Sequence, residues 1–238
     1  MFSLFKRIWN YRWILRSIPL SLYFNFHYLP FNQAIHLPIL LYKPKLLSCK
    51  GQIRIICKEE FKFGMIKLGC PNVSLYPNSG IIYENHGGTI IFEGRCFIGN
   101  ASAISVGKTG HVKFGENFTA SAALKLTSYN NIIFEKNILC GWDCLFMDTD
   151  FHQLSSTDNK ILPKPYGQIH IKNNCWFALR CTIMKNTYIP EYTVIAGQTL
   201  VNSHMDIPSH SLIAGIPGKL VRTGIYRDAN NDMIDYNR

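Results

Sequence analysis

The first 58 of 238 residues contain no acidic side chain; Glu59 is the first. Against that gap stand nine cations, Lys6, Arg7, Arg12, Arg16, Lys43, Lys45, Lys50, Arg54 and Lys58, and the chain as a whole carries a formal net charge of +10. Such a balance suits a polyanion, either nucleic acid or an anionic membrane surface. No nucleic-acid-binding motif is present, so no nucleic-acid partner is expected. Also missing is any CxxC pair among Cys49, Cys57, Cys70, Cys96, Cys140, Cys144, Cys175 and Cys181, and any closely spaced pair among the eight histidines. No metal site is therefore expected, and the cysteines read as reduced, small core residues of a cytoplasmic protein. No uninterrupted apolar run approaches the roughly 20 residues of a membrane-spanning helix. The N-terminus, interrupted by Arg12 and Arg16, lacks the plan of a signal peptide. What remains, 47% hydrophobic and 17% charged, is a globular composition.

The informative pattern is a period of six. Ile171, Phe177, Ile183, Ile189, Ile195 and Val201 recur at that spacing, and Cys175, Cys181, Thr187, Thr193 and Thr199 place a small residue two positions before each of the last five. Neither a helix nor an alternating strand has this repeat. A left-handed parallel β-helix does: each hexad makes one flat side of a triangular coil, aliphatic inward and small residue at the corner. The same phase runs backwards through Phe134, Cys140 and Phe146, through Phe114, Ala120 and Leu126, and through Phe92, Ile98 and Ile104. Three hexads make a coil of about 18 residues. One long interruption, residues 147–168, is a loop thrown out of the solenoid, the kind of segment on which function sits.

The fold class is thus all-β, a triangular solenoid with an N-terminal helix and cap and an extruded loop. Residues 1–50 are expected to form an amphipathic helix and an extended cap, 51–206 the β-helix, and 207–238 an exit segment and polar tail. A helix boundary is expected at Pro19. Residues 1–17, with Trp9 and Trp13 among basic residues, either lie in a headgroup region as a peripheral contact on the cytoplasmic face of a membrane or pack on the domain. Pro30, Pro38 and Pro44 suggest an extended connector covering the raw sheet edge at the solenoid's end.

Three features together, the hexads, the histidine-bearing loop and the exit segment AGIPGKLVR, resemble the hexapeptide-repeat acyltransferases. The loop MDTDFHQL and the segment YFNFHYLPFNQAIHLPILLYK resemble the subgroup that O-acetylates sugars of capsule or lipopolysaccharide. The resemblance implies an acetyl-CoA-dependent O-acetyltransferase, usually a homotrimer with sites between neighbouring β-helices. His152 matches the family's catalytic base, with Asp148 or Asp150 to orient its ring; histidine suits the task because a sugar hydroxyl is a poor nucleophile until its proton is being removed. Ala178, Leu179, Ala196 and Gly197 match positions that hold the pantetheine arm, and Trp176 a tryptophan near the thioester. Lys219 and Arg222 match cations placed against the cofactor phosphates. One departure is Asn202-Ser203, where many members carry Thr-Lys. Two rivals use the same solenoid: a non-catalytic scaffold at the membrane in glycan assembly, and a zinc-dependent hydration enzyme.

Overall fold

A computed structural model of the chain describes residues 17–231 apart from 59 and 159. The membrane-helix expectation for residues 1–17 therefore falls, except for Ser17, outside the described residues. The described strands form three sheets of nine, seven and six strands, parallel but for the last strand of the nine, and the chain visits the three in turn. Each sheet is one side of the left-handed triangular coil.

Register shows why the period is six. Phe92, Phe114, Phe134, Ile171 and Ile189 stack in one column of the six-strand sheet. Ile98, Ala120, Cys140, Phe177, Ile195 and Ile213 stack in the nine-strand sheet. Ile104, Leu126, Phe146, Ile183 and Val201 stack in the seven-strand sheet. Every one of these side chains is buried. Burial of each large one is worth about 1.5–3 kcal/mol. Phe114 adds offset stacking on Phe92 and Phe134 at centroid separations of 5.2 and 5.6 Å. The small residues Cys175, Cys181, Thr187, Thr193 and Thr199 are buried too, beside corners at which Asn174, Arg180, Asn186, Tyr192 and Gln198 take the left-handed backbone conformation. Among residues with a side chain, asparagine is one of those that tolerate that conformation best. At one corner Asn117, Asn137 and Asn174 continue upward as a side-chain amide ladder, with bonds of 3.1 and 3.0 Å.

Both ends of the solenoid differ from the sequence expectation. Residues 17–28 are helical straight through Pro19, and Ile39–Leu41 and Lys45–Cys49 already pair with Ile66–Cys70 and Ile81–Asn85, so the coils begin near 39 rather than 51. Prolines mark no extended connector here, because the helix is tied down by tertiary contacts. Asn25 donates to the carbonyl of Ile39 at 2.7 Å and accepts from its N–H at 3.1 Å, while the Leu41 N–H donates to Ser21 Oγ at 2.9 Å. At the other end Ser211–Ala214 adds a further parallel strand beside Val194–Ile195, then pairs antiparallel with Lys219–Thr223. The ladder thus continues past Val201, into the exit segment.

On the outer surface of the six-strand sheet Glu135 meets His170 at 3.0 Å, Lys113 at 3.4 Å and Lys172 at 4.0 Å. Burial alone raises a carboxyl, but here the His170 hydrogen bond and the two lysines outweigh it and hold Glu135 below the ordinary carboxylate range. A depressed folded value stabilises the fold at neutral pH and loses that contribution as pH falls through the acidic range. Glu135→Gln is expected to cost about 1 kcal/mol at pH 7, with the difference vanishing as the wild-type carboxyl protonates; thermal melts across pH check it.

Candidate active site

Two corners of the prism carry the residues of interest. The first joins the seven- and six-strand sheets, and from it residues 148–168 project between Leu145–Met147 and Ile169–Ile171. The stem of this loop is an antiparallel closure: Thr149 bridges Tyr166, the Asp150 N–H donates to the Pro165 carbonyl at 2.6 Å, and the Gly167 N–H donates to the Asp148 carbonyl at 3.0 Å. Beyond it His152 is exposed and makes no hydrogen bond or ion pair with any described residue. Its neighbours Phe151 and Leu154 are exposed as well, at 61% and 71%.

Neither aspartate orients His152 in this structure. Asp148 is fully buried, and its carboxylate accepts from Ser128 Oγ at 2.8 Å and from the backbone N–H groups of Tyr129 and Asn130 at 2.6 and 3.0 Å. Burial raises this carboxyl above its usual range, and the three donors offset only part of the rise. Asp150 pairs with Lys185 of the next coil at 2.6 Å, and Lys185 also holds the Lys164 carbonyl at 3.0 Å. The two acids therefore shape the loop's base, and the expected Asp–His contact is absent among the described residues.

The second corner joins the nine- and seven-strand sheets. The Arg180 N–H donates to the Trp142 carbonyl at 2.8 Å and the Gln198 N–H to the Leu179 carbonyl at 2.7 Å, so Trp142, Leu179 and Gly197 rise one above another, a coil apart. Beside them Ala178 and Ala196 use their N–H groups in the ladder, toward Ile195 and Ile213, both at 2.9 Å. The N–H groups of Leu179 and Gly197 make no hydrogen bond among the described residues. This edge sets the small residues Ala178, Ala196 and Gly197 and two free amide donors beside the larger Trp142 and Leu179, a surface for an extended ligand bearing carbonyl groups. Trp176 is half-buried on the adjoining face, two residues before Ala178. The edge runs on to Gly215–Gly218 and the exposed strand Lys219–Thr223, which carries Lys219 and Arg222.

Sequence reasoning missed what closes the other end of this edge. Residues 71–80 (PNVSLYPNSG) form a second excursion, and the buried Asn100 side chain pins it: Oδ1 accepts from the N–H groups of Asn72 and Val73, and Nδ2 donates to the carbonyls of Val73, Tyr76 and Pro77 at 3.0–3.2 Å. Tyr76 then meets Trp142 edge-on at 6.2 Å. Below them Asp143 joins Lys125 and Arg180, at 3.3 and 3.5 Å. The available signal was Pro71, Pro77 and Gly80 between two short strands, a break that the hexad phase, starting only at Phe92, did not reach.

The three stacked sheets and their six-residue register give the chain the left-handed parallel β-helix fold. In sequence it is 29% identical over 188 residues to an uncharacterised 24.8 kDa protein in the cps region of Klebsiella pneumoniae, covering 78% of this chain and 82% of that one. It is 31% identical over 111 residues to a provisionally named acetyltransferase of Staphylococcus aureus strain Mu50, covering 39% of this chain and 55% of that protein, about half the relative's length. Among solved structures, the polySia-specific acetyltransferase NeuO follows a similar chain course, with a TM-score of 0.48 and 15% identity over 80% of this chain and 91% of that one. No protein-family model matches the chain. Among the described residues no three His, Cys, Asp or Glu side chains come together as a metal ion would require, and no helix is long and apolar enough to cross a membrane.

Proposed function

We propose that the protein is an acetyl-CoA-dependent O-acetyltransferase acting on a sugar hydroxyl of a bacterial surface glycan or its precursor. The observation that carries this reading is the edge of Trp142, Leu179 and Gly197, with unused amide donors along it and Lys219 and Arg222 at its far end. Such an edge suits a pantetheine arm, whose amide carbonyls need donors, and its phosphorylated end, which needs cations. The staphylococcal relative's name and the cps location of the Klebsiella relative support the acetyl group and the glycan respectively. In the reaction His152 takes the acceptor proton as the hydroxyl oxygen bonds to the thioester carbonyl carbon; the carbon–sulfur bond then breaks and the proton passes to the departing thiolate.

His152 and the slot stand at opposite edges of the seven-strand face, so one chain holds two halves of the site. Outward columns of that face include Leu145 and Leu200, and Met147 and Met184, all half-buried. A homotrimer with this face turned to its three-fold axis brings the His152 edge of one copy to the slot edge of the next. The exposed Phe151 and Leu154 then gain a surface to cover.

The function is tested by incubating the protein with radiolabelled acetyl-CoA and surface-glycan extracts. Label appearing on glycan as an ester released by mild base supports the reading. Label in a base-stable amide, or none, counts against it. Replacing Lys219 and Arg222 together by Ala is expected to weaken CoA binding about 10- to 100-fold, measured by calorimetry. The melting temperature should not move, because the strand carrying them is exposed throughout. Unchanged affinity would place the phosphates elsewhere.

A further inference from the structure

The helix over residues 17–28 packs with its polarity reversed. Its inner face spends Ser21 and Asn25 on the open edge of the first strand, with Phe24 between them. Its outer face is apolar: Leu20, Leu22, Tyr23 and Phe26 are 44%, 39%, 52% and 47% exposed, and Phe31 and Ile35 just beyond are 72% and 52% exposed. Within the helix the exposed polar side chain, His27, is committed to the Cys49 carbonyl at 2.8 Å and stacks on Tyr23, while Asn32 and His36 lie exposed beside Phe31 and Ile35. A surface helix ordinarily turns such residues inward, and a contiguous exposed patch of this kind marks an interaction site.

Charge identifies the occupant. The first 58 residues hold nine cations and no anion. Of these, Lys45, Lys50, Arg54 and Lys58 are exposed on or just after the first coil, on which the helix sits, and Lys6, Arg7, Arg12 and Arg16 precede the helix in sequence. A second copy would bring the same positive charge against itself. We propose that this end of the solenoid docks on an anionic lipid bilayer, with Leu20, Leu22, Tyr23, Phe26, Phe31 and Ile35 entering the interfacial region and the cations meeting headgroups. The surface is independent of the acyltransferase reading, since it shares no residue with that site.

Vesicle flotation of the full chain tests the proposal, using phosphatidylcholine vesicles with and without phosphatidylglycerol. Wild type is expected to float with the anionic vesicles and to be released by salt. Combined replacement of Leu20, Tyr23, Phe26 and Phe31 by Ser should weaken binding at least tenfold. The single Phe31→Ser variant, at the most exposed position, should weaken it measurably even if the combined variant folds poorly. Failure of wild type to float overturns the proposal. So does binding by the Ser variants equal to wild type, which assigns lipid contact to residues 1–16 alone. A change of oligomer size in the Ser variants without lipid also overturns it, because the patch then belongs to a second copy.

Discussion

His152→Ala is expected to lower kcat/KM for acetyl transfer by about 10²- to 10⁴-fold, the usual contribution of a general base, while CoA affinity stays within about twofold because the slot lies at another corner of the prism. His152 is exposed and unpartnered on a loop whose stem is closed by the Thr149–Tyr166 bridge and the Asp150–Lys185 pair, so its removal leaves the loop's own contacts intact. Loss of turnover with an unchanged melting temperature and unchanged CoA binding therefore reports chemistry. Exogenous imidazole should restore part of the rate. Mixing His152→Ala chains with chains lacking Lys219 and Arg222 adds a test of the assembly: mixed oligomers should regain activity that neither variant has alone, since one interface would then hold an intact histidine and an intact slot. Normal turnover in His152→Ala would sink the mechanism.

Asp148→Ala is expected to cost about 3 kcal/mol, because it removes the acceptor of the buried Ser128 hydroxyl, leaving that group its longer bond to the His111 carbonyl, and of two part-buried backbone N–H groups. For a chain of this size that is a fall of about 6–12 °C in Tm. Activity should fall with it, since the Asp148 main chain also carries the stem of the His152 loop through its bond to Gly167. Asp148→Asn keeps one acceptor oxygen and should recover part of the stability. A group whose task was to orient His152 would behave otherwise, losing kcat with little change in Tm. Calorimetry and turnover measured on the same two variants separate these roles.

The contrast between these two residues shows what could be read early. The loop position of His152 was legible because it sits where the hexad phase stops, and a rigid repeat interrupts itself to build something outside its own ladder. Asp148, two hexad positions after Phe146, sits in the same interruption, yet its partners Ser128, Tyr129 and Asn130 are one coil earlier and about 20 positions away in sequence. A carboxylate in a loop sequence does not declare whether it faces a histidine or the corner beneath it. The excursion at 71–80 was missed for a similar reason: its anchor, Asn100, belongs to the following coil, and its contact with Trp142 spans three coils.

By itself the sequence determined the solenoid from Phe92 to Val201, because every hexad repeats one local demand, a bulky side chain inward and a small one beside a left-handed corner. It also determined the charge imbalance of the first 58 residues, which no folding alters. Only the tertiary structure decided which corner carries each candidate group, that the Asp148 carboxylate holds the corner beneath it, and that the N-terminal helix turns its apolar side outward. Those depend on hydrogen bonds between coils and across the capped end, and a repeat period records the spacing of residues along one strand of chain without recording which groups meet across the coils.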